Sequence, residues 1–114
     1  MRYLKYLELA STTMYHVTSK RNWQKIKREG LQPKIGPRSS KLKEKPGIFL
    51  FTSMDSLEDA LMNWLGEEFE DDETLAILKV TVDINKLIID PSVRYEAIST
   101  QPIPPKDIKF VRYE

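Results

Sequence analysis

Between Thr74 and Val82 the chain alternates, with Ala76, Leu78, Val80 and Val82 set against Ile77, Lys79 and Thr81. A period of two predicts a strand with one face turned to a core. From Leu57 the period changes. Leu57, Ala60, Leu61, Trp64 and Leu65 fall at i, i+3, i+4, i+7 and i+8, which predicts a helix with one buried stripe. Ser53 or Asp55 is placed to cap it, Asp55, Glu58 and Asp59 suit its positive end, and Gly66 is placed to stop it. Earlier, Tyr15 and Val17 flank His16 as β-formers and predict a strand over Thr12 to Val17. A helix follows over Lys20 to Glu29, with Thr18 or Ser19 as cap and Trp23 and Ile26 on one face. Gly30 is placed to end it in the left-handed conformation, with Leu31 folding back on Ile26.

The remaining segments are shorter. Met1 to Ala10 lacks a clear period and reads as a short helix, with an edge strand as the alternative. Gln32 to Pro46 is a long loop rich in proline, serine and lysine, and Gly47 to Thr52 is a short apolar strand. Glu67 to Glu73 reads as an acidic loop and Asp83 to Lys86 as a turn. Strands are predicted at Leu87 to Ile89, Arg94 to Ser99 and Asp107 to Tyr113, with an extended, proline-stiffened run over Gln101 to Pro105. Helices early and strands late make the fold class α+β, a twisted mixed sheet folded against itself. Trp23, Trp64 and one of Phe49 and Phe51 are expected in the core.

The chain has 114 residues, enough for a single domain over 1–114. It has no cysteine, which excludes disulfides, thiol nucleophiles and thiolate metal sites. No apolar run is long enough to span a membrane, and the N-terminus lacks a signal-peptide core; a cytoplasmic, metal-free protein is expected. The net charge is +1, so bulk charge favours no partner, but its distribution is uneven. Basic residues crowd Lys20 to Lys45, with Glu29 and Glu44 as the exceptions, while Asp55 to Glu73 is acidic throughout. One end of the domain is thus suited to phosphates or another anion; two solvated faces are the plainer alternative.

The residues around the lone histidine carry a resemblance. Tyr15-His16-Val17-Thr18-Ser19, Asn22-Trp23, Ile26 and Gly30-Leu31 resemble the opening block of the ADP-ribosyltransferases of the diphtheria-toxin and poly(ADP-ribose) polymerase branch. Pro46-Gly47-Ile48-Phe49-Leu50 resembles that branch's second block, followed by a helix holding Ser56 and Ala60, and Arg94-Tyr95-Glu96-Ala97-Ile98 resembles its glutamate block. The resemblance implies a compact domain with a split mixed or antiparallel β-sheet, two main helices and a cleft that binds NAD. It implies that His16 holds the adenosine ribose, the main chain of Val17 the nicotinamide amide, and Thr18 the serine position. It further gives Phe49 the role of stacking the nicotinamide, Ser56 the head of the cleft helix, and Glu96 the catalytic carboxylate. A carboxylate fixed beside the sugar stabilises the positive charge that develops there, and an aromatic ring orients a flat heterocycle.

The sequence departs from the family pattern in several places. Val17 stands where the family has glycine, Phe49 where it has tyrosine, and Tyr95 where it has asparagine. Arg94 leaves no Glu-x-Glu pair, which argues against arginine as acceptor, and the basic set of the RNA 2′-phosphotransferases has no evident counterpart. The functional expectation is transfer of ADP-ribose from NAD to a protein or nucleic acid, or NAD hydrolysis, with the loop Gln32 to Lys45 against a pyrophosphate or anionic target. Two alternatives stand beside it: a catalytically silent relative that binds a nucleotide or partner, and a nucleic-acid-binding module using residues 32–45. His16 could equally be a structural hydrogen-bonding residue, and Glu96 a solvated strand glutamate.

Overall fold

A computed structural model describes residues 11–33, 47–65, 69, 73–89 and 96–114. Six strands form one sheet: β1 (Ser11–Ser19), β2 (Ile48–Phe51), β3 (Leu75–Asp83), β4 (Leu87–Ile88), β5 (Glu96–Ser99) and β6 (Ile108–Tyr113). Their order is β4-β5-β2-β1-β3-β6, and every pairing is antiparallel. Of the mixed and antiparallel sheets expected, the described residues form the antiparallel one, and the α+β class stands. Among the described residues, two α-helices, α1 (Lys20–Glu29) and α2 (Met54–Asn63), accompany the sheet. The expected N-terminal helix, the bulk of the basic loop, Gly66 and the residues Arg94 and Tyr95 lie outside the described residues. Among the described residues no helix is long and apolar enough to cross a membrane.

Parity along the strands places the two helices on opposite faces. Met14 of β1 and Ala76, Leu78 and Val80 of β3 cluster with Ile26 of α1 and with Leu50 and Ala97. Val17 of β1 and Leu75 and Ile77 of β3 cluster with Leu57 and Ala60 of α2 and with Phe51. Side chains two apart share a face and neighbours oppose, so the sheet is sandwiched between α1 and α2. This corrects the reading of β3 as buried on one side. Ile77 is as buried as Leu78, because α2 covers the second face, and only Lys79 and Thr81 escape that cover as exposed residues. Trp23 and Trp64 pack half-buried against the two clusters, and Phe51 rather than Phe49 is the core aromatic.

Local chemistry sets the helix ends. The Ser19 hydroxyl accepts from the Asn22 amide and starts α1. Ser53, not Asp55, caps α2, and Ser56 closes a capping box by accepting from the Ser53 amide at 3.2 Å. At the other end of α1, Gly30 donates to the Ile26 carbonyl, but its φ of 81° and ψ of −178° lie outside the expected left-handed helical region. The cause is tertiary. Leu31 and Ile103 exchange both main-chain hydrogen bonds at 2.9 Å, so the chain leaves the helix directly into an antiparallel bridge. A Cβ on Gly30 would stand 2.3 Å from the Ile103 carbonyl oxygen. The proline-rich run thus serves as the anchor for the end of α1.

Candidate functional site

The sheet is not uniformly zipped. β1 pairs with β3 from Ser11 opposite Asp83 through Ser19 opposite Leu75. Against β2 its registered pair, among the described residues, is Tyr15 opposite Phe51. Beyond that pair, towards Ser19 and Gly47, the two strands part. The His16 ring bridges the opening: its Nδ1 lies 2.9 Å from the Phe49 carbonyl oxygen. A carbonyl only accepts, so Nδ1 carries the hydrogen of this bond.

A cleft of about 470 Å³ occupies this opening. Its walls come from both sides of the sheet, which an intact ladder would forbid. His16 and Thr18 join Asn22, Lys25, Ile26 and Glu29 of α1, while Val17, Phe49 and Phe51 join Leu65 and Phe69. Gly30, Leu31 and Gln32 close the end of α1, and Gly47 and Ile48 the start of β2. The volume is that of a small-ligand site, roughly 300–1,000 Å³. The chemistry is mixed. Phe49, Phe51 and Phe69 supply flat apolar surface; His16, Asn22, Lys25 and Glu29 supply polar groups. Lys25 and Glu29 stand 4.0 Å apart as an exposed i, i+4 pair.

Four of the six residues singled out in the sequence therefore meet in one cleft: His16, Val17, Thr18 and Phe49. Glu96 sits one strand further. It opens β5 directly opposite Phe51, on the same face of the sheet, with Ile98 opposite Phe49. It is 4% exposed, so it is not the solvated strand glutamate that was the alternative reading. Ser56 does not line the cleft; its hydroxyl donates to the Ser53 carbonyl at 2.9 Å inside the capping box. Among the described residues no cluster of three His, Cys, Asp or Glu side chains could hold a metal. Away from the cleft, hydrogen bonds from Arg112 to Glu58 and Glu114 raise the guanidinium pKa from its usual value.

The polar stripe of α1 was missed in the sequence. Asn22, Lys25 and Glu29 recur at i, i+3 and i+7 beside the buried Ile26, a spacing that puts all three on one flank of a helix. That signal was legible beside the apolar Trp23–Ile26 pair. Comparison of the chain with protein-family models, with curated proteins and with solved structures finds no match in any of the three.

Proposed function

We propose that the protein is an ADP-ribosyltransferase-like, NAD-binding enzyme that transfers ADP-ribose to a macromolecule or to water. The reading is carried by one observation. His16 and Phe49, from separate blocks of the sequence, meet through a hydrogen bond at the mouth of a cleft where β1 and β2 part. The resemblance at the sequence level implied this kind of split. The residues present also suit the ligand. Aromatic surface at Phe49 and Phe69 suits a flat heterocycle, and Asn22, Lys25 and the His16 ring suit ribose hydroxyls and a pyrophosphate.

In the proposed reaction the bond between the ribose C1′ and the nicotinamide nitrogen breaks, and its electron pair leaves with neutral nicotinamide. The acceptor, a hydroxyl, an amine or water, forms the new bond at C1′ and loses its proton. Glu96 is assigned the stabilisation of positive charge on the sugar. Burial beside Phe51 holds its carboxylate on one face of the sheet, as a preorganised group requires.

A second reading is favoured by two specific features. Val17 brings a side chain into the cleft where the family pattern has none, and Glu96 stands behind Phe51 rather than on the cleft wall. Both suit a silent relative that binds the dinucleotide without turning it over. Labelled NAD decides between them. The enzyme reading expects nicotinamide release, with label transfer if a macromolecule accepts, and loss of release in Glu96→Ala and His16→Ala. Binding without release selects the silent relative, and absence of NAD binding overturns both.

A further inference from the structure

We propose that the flank of α1 packed against β6 is a binding surface for single-stranded nucleic acid, separate from the cleft and independent of the NAD reading. Three aromatic rings gather there. Trp23 and Phe110 stack with centroids 5.8 Å apart and planes 22° apart, and Tyr113 meets Phe110 edge-on at 4.7 Å. The Lys20 ammonium lies 5.1 Å from the centre of the Tyr113 ring.

A regular strand would not make this cluster. Residues three apart in a strand point to opposite faces, so Phe110 and Tyr113 would separate. The register of β6 against β3 shifts between Ile77 and Leu78, where Phe110 pairs with Leu78 and Tyr113 with Ala76. The irregularity takes up Val111 and returns Tyr113 to the side of Phe110, facing α1. The rings are nonetheless poorly covered: Phe110 is 41% and Tyr113 43% exposed, on the last strand of the sheet. A bulge that brings two large, partly exposed aromatics to the same side of the strand suits a flat partner that stacks on them.

The surrounding charge is positive. Lys20, Trp23 and Lys27 lie at i, i+3 and i+7 on one flank of α1, with Arg21 and Arg28 beside them. The first turn of α1 holds no acid. Among the described residues, Glu73 pairs with Arg21 at 3.7 Å and Glu114 with Arg112 at 3.2 Å, so the positive character of this flank rests on Lys20, Lys27 and Arg28. Rings interleaved with lysines match alternating bases and phosphates of a single strand, and in a duplex the base faces are not available for stacking. An acidic peptide would use the lysines without needing the rings. A second copy paired edge to edge along β6 would set Lys109 and Arg112 against like charges.

The test is fluorescence anisotropy of a labelled oligothymidylate of about a dozen nucleotides, with quenching of tryptophan fluorescence as a second readout. The full chain is expected to bind more tightly than ~100 μM and to lose affinity roughly tenfold between about 50 and 200 mM salt. Phe110→Ala and Tyr113→Ala should each weaken binding about tenfold. Phe110→Leu keeps apolar bulk while removing the ring, and should weaken binding likewise even if Phe110→Ala does not fold. Lys20→Glu with Lys27→Glu should flatten the salt dependence, and Lys86→Ala should change nothing. Four results would each overturn the proposal: no oligonucleotide binding, unchanged affinity in Phe110→Leu and Tyr113→Ala, equal binding of a duplex, or competition by an acidic peptide. Failure to bind NAD would leave these outcomes untouched.

Discussion

His16 on β1 donates through Nδ1 to the main-chain oxygen of Phe49 on β2 across 2.9 Å, at the point where the two strands separate. A side chain thus holds together strands whose ladder has opened for a cleft. His16→Ala should cost about 0.5–1.5 kcal/mol, the net worth of one hydrogen bond, and should weaken NAD binding as well. Chemical denaturation and calorimetric titration read the two effects separately. Loss of affinity without loss of stability would show that the bond is not structural.

Phe49 is half-buried and lines the cleft, while its neighbour on the same face, Phe51, is 2% exposed. Stacking needs the ring and not a hydroxyl. Phe49→Tyr should leave NAD affinity within about threefold of wild type, and Phe49→Leu should lower it by roughly three- to tenfold, as expected for an aromatic contact of about 0.5–1.5 kcal/mol. Equal affinity in wild type and Phe49→Leu would remove the ring from the site.

Ser56 separates a structural role from a ligand role. Its hydroxyl and the Ser53 hydroxyl satisfy the first turn of α2 reciprocally. Ser56→Ala should destabilise the fold by roughly 0.5–1 kcal/mol and leave NAD affinity unchanged. A clear fall in affinity at constant stability would place the hydroxyl in the site after all.

The elements were legible where local chemistry decides them. α1 begins at Ser19 and ends at Gly30 because a hydroxyl cap and a residue without a Cβ are local signals. The stripe from Leu57 to Ala60 likewise told which side of α2 is buried. What depends on partners distant in sequence was not legible. The alternation of β3 suggested one covered face, but α2 supplies a second cover and buries Ile77. The opening between β1 and β2 has no local signal, since it is a property of two strands rather than one. Four of the residues that flank it were nevertheless singled out, through the resemblance carried by the blocks around His16 and Phe49. Asn22, Lys25 and Glu29 were passed over because a polar stripe on a helix usually faces water.

Gly30 tests the anchor at the end of α1. Its φ of 81° already disfavours a side chain, and a Cβ would press on the Ile103 carbonyl, which is bonded to Leu31. Gly30→Ala should destabilise the protein by more than about 1 kcal/mol, in contrast to the stabilisation that the same change gives at a permissive site. Gly30 and Leu31 also close one end of the cleft, so the variant should bind NAD more weakly even at temperatures where it remains folded. Denaturant titration and ligand titration on one preparation check both.

Glu96 carries the sharpest prediction, because burial gives it two possible duties. It is nine-tenths or more out of solvent opposite Phe51, and a side chain so placed could serve packing alone. Glu96→Gln keeps the shape and removes the charge. If the carboxylate stabilises a sugar cation, the variant should fold and bind NAD within about threefold of wild type, while nicotinamide release falls by about a hundredfold or more. A structural carboxylate would give the reverse pattern, with altered stability and a release rate that follows the folded fraction. Measuring turnover and dissociation constant on the same protein separates the two, and unchanged turnover would take Glu96 out of the reaction.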